Sequence, residues 1–177
     1  NAAITLGNTV EPKTANAYSL TLRSGSAAIA LDGSIGSQRR LTEFIIGGGS
    51  VAQTGTTTVK GDLTATNRIC LVGPTTMVGN RVLTADEIDF GGTVSADGTT
   101  PGSLTLVSHS AGLDINLGGD TTTNAMDLTT ADLNKIGAGF TSVVIGTATP
   151  TAAARGDVTV GIASGSTDTI GSQLTVY

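Results

Sequence analysis

Short runs in which apolar and polar residues alternate recur along the whole chain, and each run ends at Gly, Asp, Asn, Ser or Thr. Alternation with a period of two is the pattern of a half-buried strand. The runs predict twelve strands with the sequences AITL, SLTL, AIAL, EFII, TTVK, RICLV, EIDF, SLTLV, LDINL, SVVI, DVTV and QLTV. The sequence therefore predicts an all-β fold built from many short strands.

An internal repeat relates distant parts of the chain. The segment SLTLRSGSAAIALDGSIG, from Ser19, aligns without a gap with SLTLVSHSAGLDINLGGD, from Ser103, and seven of the first fourteen positions are identical. LTEFIIG at Leu41–Gly47 matches FTSVVIG at Phe140–Gly146 at an offset of 99 instead of 84. The 15 extra residues between the matched blocks predict an insertion, a loop or short helix at about residues 118–137, in an otherwise repeating frame.

The offset of 84 divides into four units of roughly 21 residues, a plausible coil length for a parallel β-helix. A unit of this size cannot bury its own apolar face, but stacked units can, because each strand pairs in parallel with the next at about 4.8 Å. We therefore expect residues 1–177 to form a single β-solenoid segment of roughly eight or nine coils. A β-sandwich would normally bury aromatic residues and would not repeat a two-strand block in this way.

One segment has a helical pattern. In TTADLNKIG, Thr129 or Thr130 is a candidate N-cap, Asp132 lies in the first turn, and Gly137 is a stop signal. This segment predicts one or two helical turns within the insertion. LTADEIDF carries a similar capping pattern, but the alternation of Ile88 and Phe90 predicts that a strand begins there instead.

The amino-acid composition agrees with a β fold and limits the classes of binding partner. Thr occurs 31 times, whereas there are three Phe, two Tyr and no Trp, and β-branched residues suit a pleated surface. The net charge is −5, and QRR at Gln38–Arg40 contains the only basic pair. We therefore expect no nucleic-acid partner, since no basic stripe can follow the phosphates. No apolar run approaches the roughly 20 residues of a membrane span, so no membrane insertion is expected.

LTADEIDFGG (Leu83–Gly92), GSLTLVS (Gly102–Ser108) and MDLTTADLNKIGAGFTSVVIG (Met126–Gly146) resemble the repeats of large exported β-solenoid proteins. These are the filamentous-haemagglutinin-like surface proteins of cyanobacteria and other Gram-negative bacteria. The resemblance is best over about residues 83–161 and weaker over Tyr18–Gly47. It implies a right-handed parallel β-helix in a stalk, adhesin or matrix protein at the cell surface, and it carries no catalytic residues over.

The candidate nucleophiles and metal ligands are few. His109 is the only histidine, so a site with several histidines cannot form, and its place in the repeat predicts a solvated corner. Cys70 is the only cysteine, which excludes an internal disulfide and a CxxC metal site. Its apolar neighbours predict a buried, unreactive thiol. No catalytic, cofactor or metal site is therefore expected.

The densest carboxylates are Asp86, Glu87 and Asp89 in ADEIDF. With Ile88 and Phe90 inward, Glu87 and Asp89 would point outward about 6.8 Å apart, a separation found in inverting glycosidases. Every i, i+2 pair on a strand shares this spacing, so a solvated outer face is favoured. Calcium fits poorly, because Asp32, Asp97 and Asp120 are isolated turn residues without a calcium-binding repeat.

Threonine triplets raise a further alternative. TxT motifs begin at Thr56, Thr64, Thr121, Thr147 and Thr167, and regularly stacked TxT rows are typical of ice-binding solenoids. The intervals between these motifs do not share one coil period, which favours threonine at corners and in hydrogen-bonded ladders.

The sequence predicts a non-enzymatic, extracellular or cell-surface β-solenoid that serves as a filament, stalk or adhesin shaft, without a cofactor. Both ends carry strand patterns, AITL and QLTV, so we expect pairing with copies of the chain end to end or with flanking repeats of a larger protein. Surface glycans are a further candidate ligand class. The alternatives are a carbohydrate-active β-helix hydrolase or lyase that uses Glu87 and Asp89, and an ice-binding threonine array.

Overall fold

The computed structural model describes residues 1–50, 52–119 and 125–146 and the strands Val158–Val160 and Leu174–Val176. Apart from one single-turn helix, the regular secondary structure of these residues consists of β-strands. The first strands are β1 Ile4–Leu6, β2 Leu20–Leu22, β3 Ile29–Leu31, β4 Leu41–Ile46, β5 Thr57–Val59, β6 Leu63–Leu71, β7 Thr75–Met77 and β8 Arg81–Thr84. The others are β9 Glu87–Phe90, β10 Val94–Ala96, β11 Leu104–Val107, β12 Asp114–Gly118, β13 Ala125–Thr129, β14 Val143–Ile145, β15 Val158–Val160 and β16 Leu174–Val176, with helix α1 at Thr130–Leu133. The twelve predicted strands are confirmed, and β7, β8, β10 and β13 are additional.

The strands form parallel walls. Wall 1 has the order β1-β3-β5-β7-β10. β6 belongs to two walls, because its start pairs with β8 whereas its end pairs with β4 and β9. Wall 2 therefore contains the start of β6 and β8, β11, β14 and β16, and wall 3 contains β2, β4, the end of β6 and β9; β13, β12 and β15 form a separate sheet. The chain visits walls 1, 2 and 3 in turn, and we call one such passage a circuit.

The circuits differ in length. Ile4, Ile29, Thr57, Thr75 and Val94 occupy one position of wall 1 and are 25, 28, 18 and 19 residues apart. Along wall 2 the described residues supply seven levels, namely Val10, Ile35, β6, β8, β11, β14 and β16. The prediction was eight or nine coils for the whole chain; corner loops such as residues 11–19 lengthen some circuits beyond the expected 21 residues.

The internal repeat has a different origin from the one expected. β2 lies in wall 3, whereas β11, its partner in the sequence alignment, lies in wall 2. The matched strands β4 and β14 show the same change of wall. The offset therefore spans three circuits and two further walls, not four coils. Both walls need inward-facing apolar residues at alternate positions, so one strand-and-corner sequence suits either of them.

The inward side chains of the walls form one apolar core. In wall 3, Phe44, Ile69 and Ile88 are register partners at successive levels, and none is exposed to solvent. Wall 1 contributes Ile29 and Leu31, which are equally buried. Burying a side chain of this size contributes about 1.5–3 kcal/mol. Stacking of equivalent positions thus produces a continuous core from few aromatic residues.

The predicted helix is confirmed inside the insertion. The hydroxyl of Thr129 accepts from the backbone N–H of Asp132, and the carboxylate of Asp132 accepts from the N–H of Thr129, which completes a capping box. α1 ends at Leu133, before the predicted stop at Gly137. The insertion also contains β13, which pairs in parallel with β12.

Glycines at the corners allow successive circuits to approach each other. A Cβ atom added to Gly61 would lie 2.3 Å from the backbone carbon of Gly33 in the preceding circuit. At Gly102 it would lie 2.1 Å from the backbone carbon of Gly79. Backbone atoms cannot move aside as a flexible side chain does, so these corners exclude every residue with a Cβ.

We expect Gly61→Ala to lower the free energy of unfolding by about 1–3 kcal/mol, because the added methyl group forces two circuits apart. Gly98→Ala is the matched control, since a Cβ there has no atom within 4 Å, and a change within about 1 kcal/mol is expected. Urea unfolding followed by circular dichroism measures both. Equal effects of the two substitutions would contradict the close approach at the corner.

Candidate functional site

Charged side chains gather on the outer side of wall 3. Glu43, Arg68 and Glu87 are register partners on β4, β6 and β9, and Asp89 is the partner of Cys70 in the adjacent row. The central outward positions of the other walls are uncharged: Thr5, Ala30, Thr58, Thr76 and Ser95 in wall 1, and Thr64, Val82, Thr84, Thr105, Val107, Val144 and Thr175 in wall 2. The outward side chains that could take part in catalysis or ion binding are therefore concentrated on wall 3.

The orientation predicted for β9 is confirmed. Ile88 and Phe90 are buried at 0% and 3% exposure, and Glu87 and Asp89 alternate with them on the outer side. The carboxylate of Asp89 forms an ion pair with Nε of Arg68 on β6. This hydrogen bond is the main cause that raises the pKa of Arg68. Asp89 is thus held by a cation and is not a free partner for Glu87.

Glu87 lines a cleft of about 270 Å³ together with Asn67, Asp86, Leu113 and Ala125. The carboxylate of Asp86 accepts from the backbone N–H of Ser110 at 2.6 Å and from its hydroxyl at 2.5 Å. The cleft therefore combines two carboxyl groups and an amide with small apolar side chains. Its lining comes from four separate parts of the chain, so only Asp86 and Glu87 were recognisable in the sequence.

Burial raises the pKa of Glu87 from 4.5 to about 7, and the negative charge of Asp89 adds to the effect. A hydrogen bond from the backbone N–H of Asp127 opposes the rise, whereas the charges of Asp127 and Asp132 reinforce it. Glu87 therefore exchanges its proton near neutral pH. A carboxyl group with this property in a cleft is suited to general acid or base chemistry.

Two carboxyl groups also join the insertion to the fourth circuit. Among the described strands, β9 pairs with β6 and β13 pairs with β12, without a ladder between β9 and β13. Glu87 accepts from the N–H of Asp127 in β13, and Asp132 accepts from the N–H of Phe90 at 2.8 Å. Asp132 is 6% exposed. We call this junction, formed by Glu87 and Asp132, the carboxyl seam.

Cys70 and His109 do not join the cleft. The Cys70 side chain is buried as predicted, and this burial raises the pKa of its thiol, an effect that the positive charge of Arg68 opposes. It lies on the outer side of wall 3, however, not among the core residues. His109 is part-exposed in the turn between β11 and β12, as the repeat predicted. The structure thus gives neither residue a chemical partner in the cleft.

The other candidates are also dispersed. Asp32 forms an ion pair with Lys60 at 2.8 Å. Asp97 accepts from the hydroxyl and N–H groups of Thr99 and Thr100, which lowers its pKa. Asp120 lies outside the described residues. Within the described part of the chain, no group of three or more His, Cys, Asp or Glu residues is placed to hold a metal ion.

The threonine triplets fall on different walls. Thr56–Thr58 lies at wall 1, whereas Thr64–Thr66 lies in β6. The triplets at 121–123, 147–149 and 167–169 lie outside the described residues. The two described triplets therefore do not stack on each other.

Comparisons with protein-family models, with curated proteins and with solved structures return no significant match. Across the described ranges, no helix has the length and apolar character needed to cross a membrane.

We expect Glu87→Gln to stabilise the protein at pH 8 and to have little effect at pH 5. The pKa of Glu87 is about 7 in the folded state against 4.5 for an ordinary glutamate. The folded state therefore binds more protons between these values, and stability falls as the pH rises through them. The full shift corresponds to roughly 3 kcal/mol. Because solvent screens the part-exposed carboxyl, we expect a gain of about 1 kcal/mol.

Urea unfolding of the wild type and the variant at both pH values measures this gain. Asp97→Asn is a control of opposite sign, because the pKa of Asp97 is lowered and its charged form stabilises the fold. Identical pH profiles for the wild type and Glu87→Gln would show that the Glu87 carboxyl is ordinary.

Proposed function

We propose that the chain is a structural segment of an extracellular, right-handed parallel β-helix that serves as a filament, stalk or adhesin shaft. In this proposal each circuit is one coil of the solenoid. Its support is the parallel register of equivalent positions at successive levels. Right-handedness is proposed because crossover connections between parallel strands have that hand in about 98% of cases.

The observation that carries this proposal is the open side of the first circuit. Ile4, Val10 and Leu20 are part-exposed, whereas their register partners Ile29, Ile35 and Phe44 at the next level are fully buried. The strand edges of β1 and β2 are unpaired on this side among the described strands. A further parallel coil would cover both the apolar side chains and the unpaired backbone groups.

A second copy of the chain, or flanking repeats of a larger protein, would supply this coil. Stacking of copies is a head-to-tail contact that does not close, so it would produce a filament. An extracellular or cell-surface location follows from the resemblance of Leu83–Gly92 and Met126–Gly146 to exported solenoid repeats, and it belongs to the same proposal.

We expect the purified chain to form unbranched filaments with an axial repeat near 4.8 Å in electron micrographs and fibre diffraction. The double variant Ile4→Lys/Leu20→Lys should abolish them, because it places two charges on the open side without filling the core. Thr5→Lys/Thr58→Lys adds the same charge to the outer side of wall 1 and should leave stacking intact. A wild type that stays monomeric at high concentration would contradict stacking of copies.

A carbohydrate-active enzyme is the second candidate, favoured by the raised pKa of Glu87 in the cleft. Glu87 would act as the proton donor or acceptor. Since Asp89 is paired with Arg68, Asp86 is the better second carboxyl group for this cleft. Turnover of acidic or neutral glycans that is lost in Glu87→Gln would establish this activity and displace the structural proposal.

An ice-binding role has the weaker support of the Thr58–Thr76–Ser95 column in wall 1, and a thermal-hysteresis measurement tests it.

A further inference from the structure

Three cations lie together where the first two circuits pass from wall 2 to wall 3. Nη1 of Arg39 donates to the carbonyl of Lys13 at 2.8 Å, and the N–H of Asn16 donates to the carbonyl of Arg40 at 2.8 Å. The side chains of Lys13, Arg39 and Arg40 are all exposed. Two adjacent loops therefore present one positively charged surface.

These cations have no carboxylate partner among the described residues, where the ion pairs are Lys60–Asp32, Arg68–Asp89 and Arg81–Asp62. Glu11 is the nearby acid, but the loop's own donors occupy it. Its carboxylate accepts from the hydroxyl of Ser37 at 2.7 Å and from the N–H groups of Gln38 at 3.0 Å and Arg39 at 2.7 Å. Glu11 thus shapes the loop that displays the arginines and leaves their guanidinium groups available.

An exposed tyrosine follows the Lys13 loop in the chain. Tyr18 is 52% exposed, and its backbone carbonyl accepts from the N–H of Thr42, two residues after Arg40. A tyrosine with one apolar face and a polar hydroxyl is a typical contact residue of binding surfaces. We call Lys13, Tyr18, Arg39 and Arg40 the basic corner.

The charge of the rest of the chain limits the ligand. Residues 1–50 contain four basic residues (Lys or Arg) and three acidic residues (Asp or Glu). Residues 51–177 contain five basic and eleven acidic residues. The net charges are therefore +1 and −6. A polyanion lying along the whole molecule would meet repulsion beyond the second circuit, so the basic corner fits a ligand that contacts it locally.

We propose that the basic corner binds an acidic polysaccharide, a sugar chain that carries carboxylate or sulfate groups. A ligand of this class offers acidic groups for the cations and an apolar ring face for the exposed Tyr18. The C–H faces of its rings pack on Tyr18, while its acidic groups pair with Arg39 and Arg40. This site is independent of the cleft at Glu87 and of end-to-end stacking.

Binding to immobilised polygalacturonate, measured by interferometry at several salt concentrations, tests the proposal, with dextran as the neutral polysaccharide. The test variant is Lys13→Gln/Arg40→Gln, which removes two charges and leaves the side-chain hydrogen bonds of Glu11 and Arg39 intact. The control is Lys60→Gln/Lys135→Gln, which also removes two positive charges and so has the same net charge as the test variant. We expect the test variant to bind about tenfold more weakly and with a shallower salt dependence, and the control to bind within about twofold of the wild type.

Tyr18→Ala separates the ring from the charges. It should weaken binding to polygalacturonate while leaving the salt dependence unchanged, because no ion pair is lost. Equal weakening in the two double variants, equal affinity for dextran, or no binding at low salt would overturn the proposal. Tighter binding to duplex DNA or to phosphatidylserine vesicles than to polygalacturonate would show that the ligand carries phosphate groups and is not an acidic polysaccharide. This result would also overturn the proposal.

Discussion

The spacing between parallel strands, about 4.8 Å, is the constraint on which the rest of this structure depends. Each strand residue lies beside its register partner one circuit earlier, so each wall position must accommodate the side chain stacked next to it. At the corners this requirement removes the Cβ, as the contacts of Gly61 with Gly33 show. In the interior it selects aliphatic side chains that stack in columns, such as Ile29 on Ile4. The low aromatic content follows, since a narrow stack of this kind has little room for rings.

The same constraint arranges the charges. Like charges at adjacent positions of a ladder repel each other, and on wall 3 the row Glu43, Arg68, Glu87 alternates in sign. Glu87 is the last member of this row, and on its other side lie the acidic residues Asp127 and Asp132 of the insertion. Burial is the main cause of its raised pKa, and the carboxylates beside it, in place of a cation that would complete the alternation, add to the rise.

Much of the fold was predictable because the alternation of apolar and polar residues is a local pattern that can be read within each strand. Twelve strands follow from it, whereas β7 and β10 were missed because TTM and VSA offer too few apolar residues. The wall on which a strand lies depends on the lengths of the circuits, which vary from 18 to 28 residues, and no local sequence pattern specifies these lengths. The Arg68–Asp89 ion pair was missed because its two residues meet only when the circuit between them has the right length. Asn67, Leu113 and Ala125 meet only through the insertion, so the cleft was beyond the reach of sequence patterns.

The carboxyl seam has a consequence for how the stack opens. In repeat architectures each unit is stabilised mainly by its neighbours, and opening spreads along the chain from the weakest contact between units. Elsewhere on wall 3 that contact is a backbone ladder, whose hydrogen bonds do not titrate. Between β9 and the insertion it consists of hydrogen bonds to the carboxylates of Glu87 and Asp132, and the pKa of Glu87 is raised to about 7. We therefore expect amide hydrogen exchange on wall 3 to divide there into two cooperative regions, whose coupling depends on the protonation of Glu87.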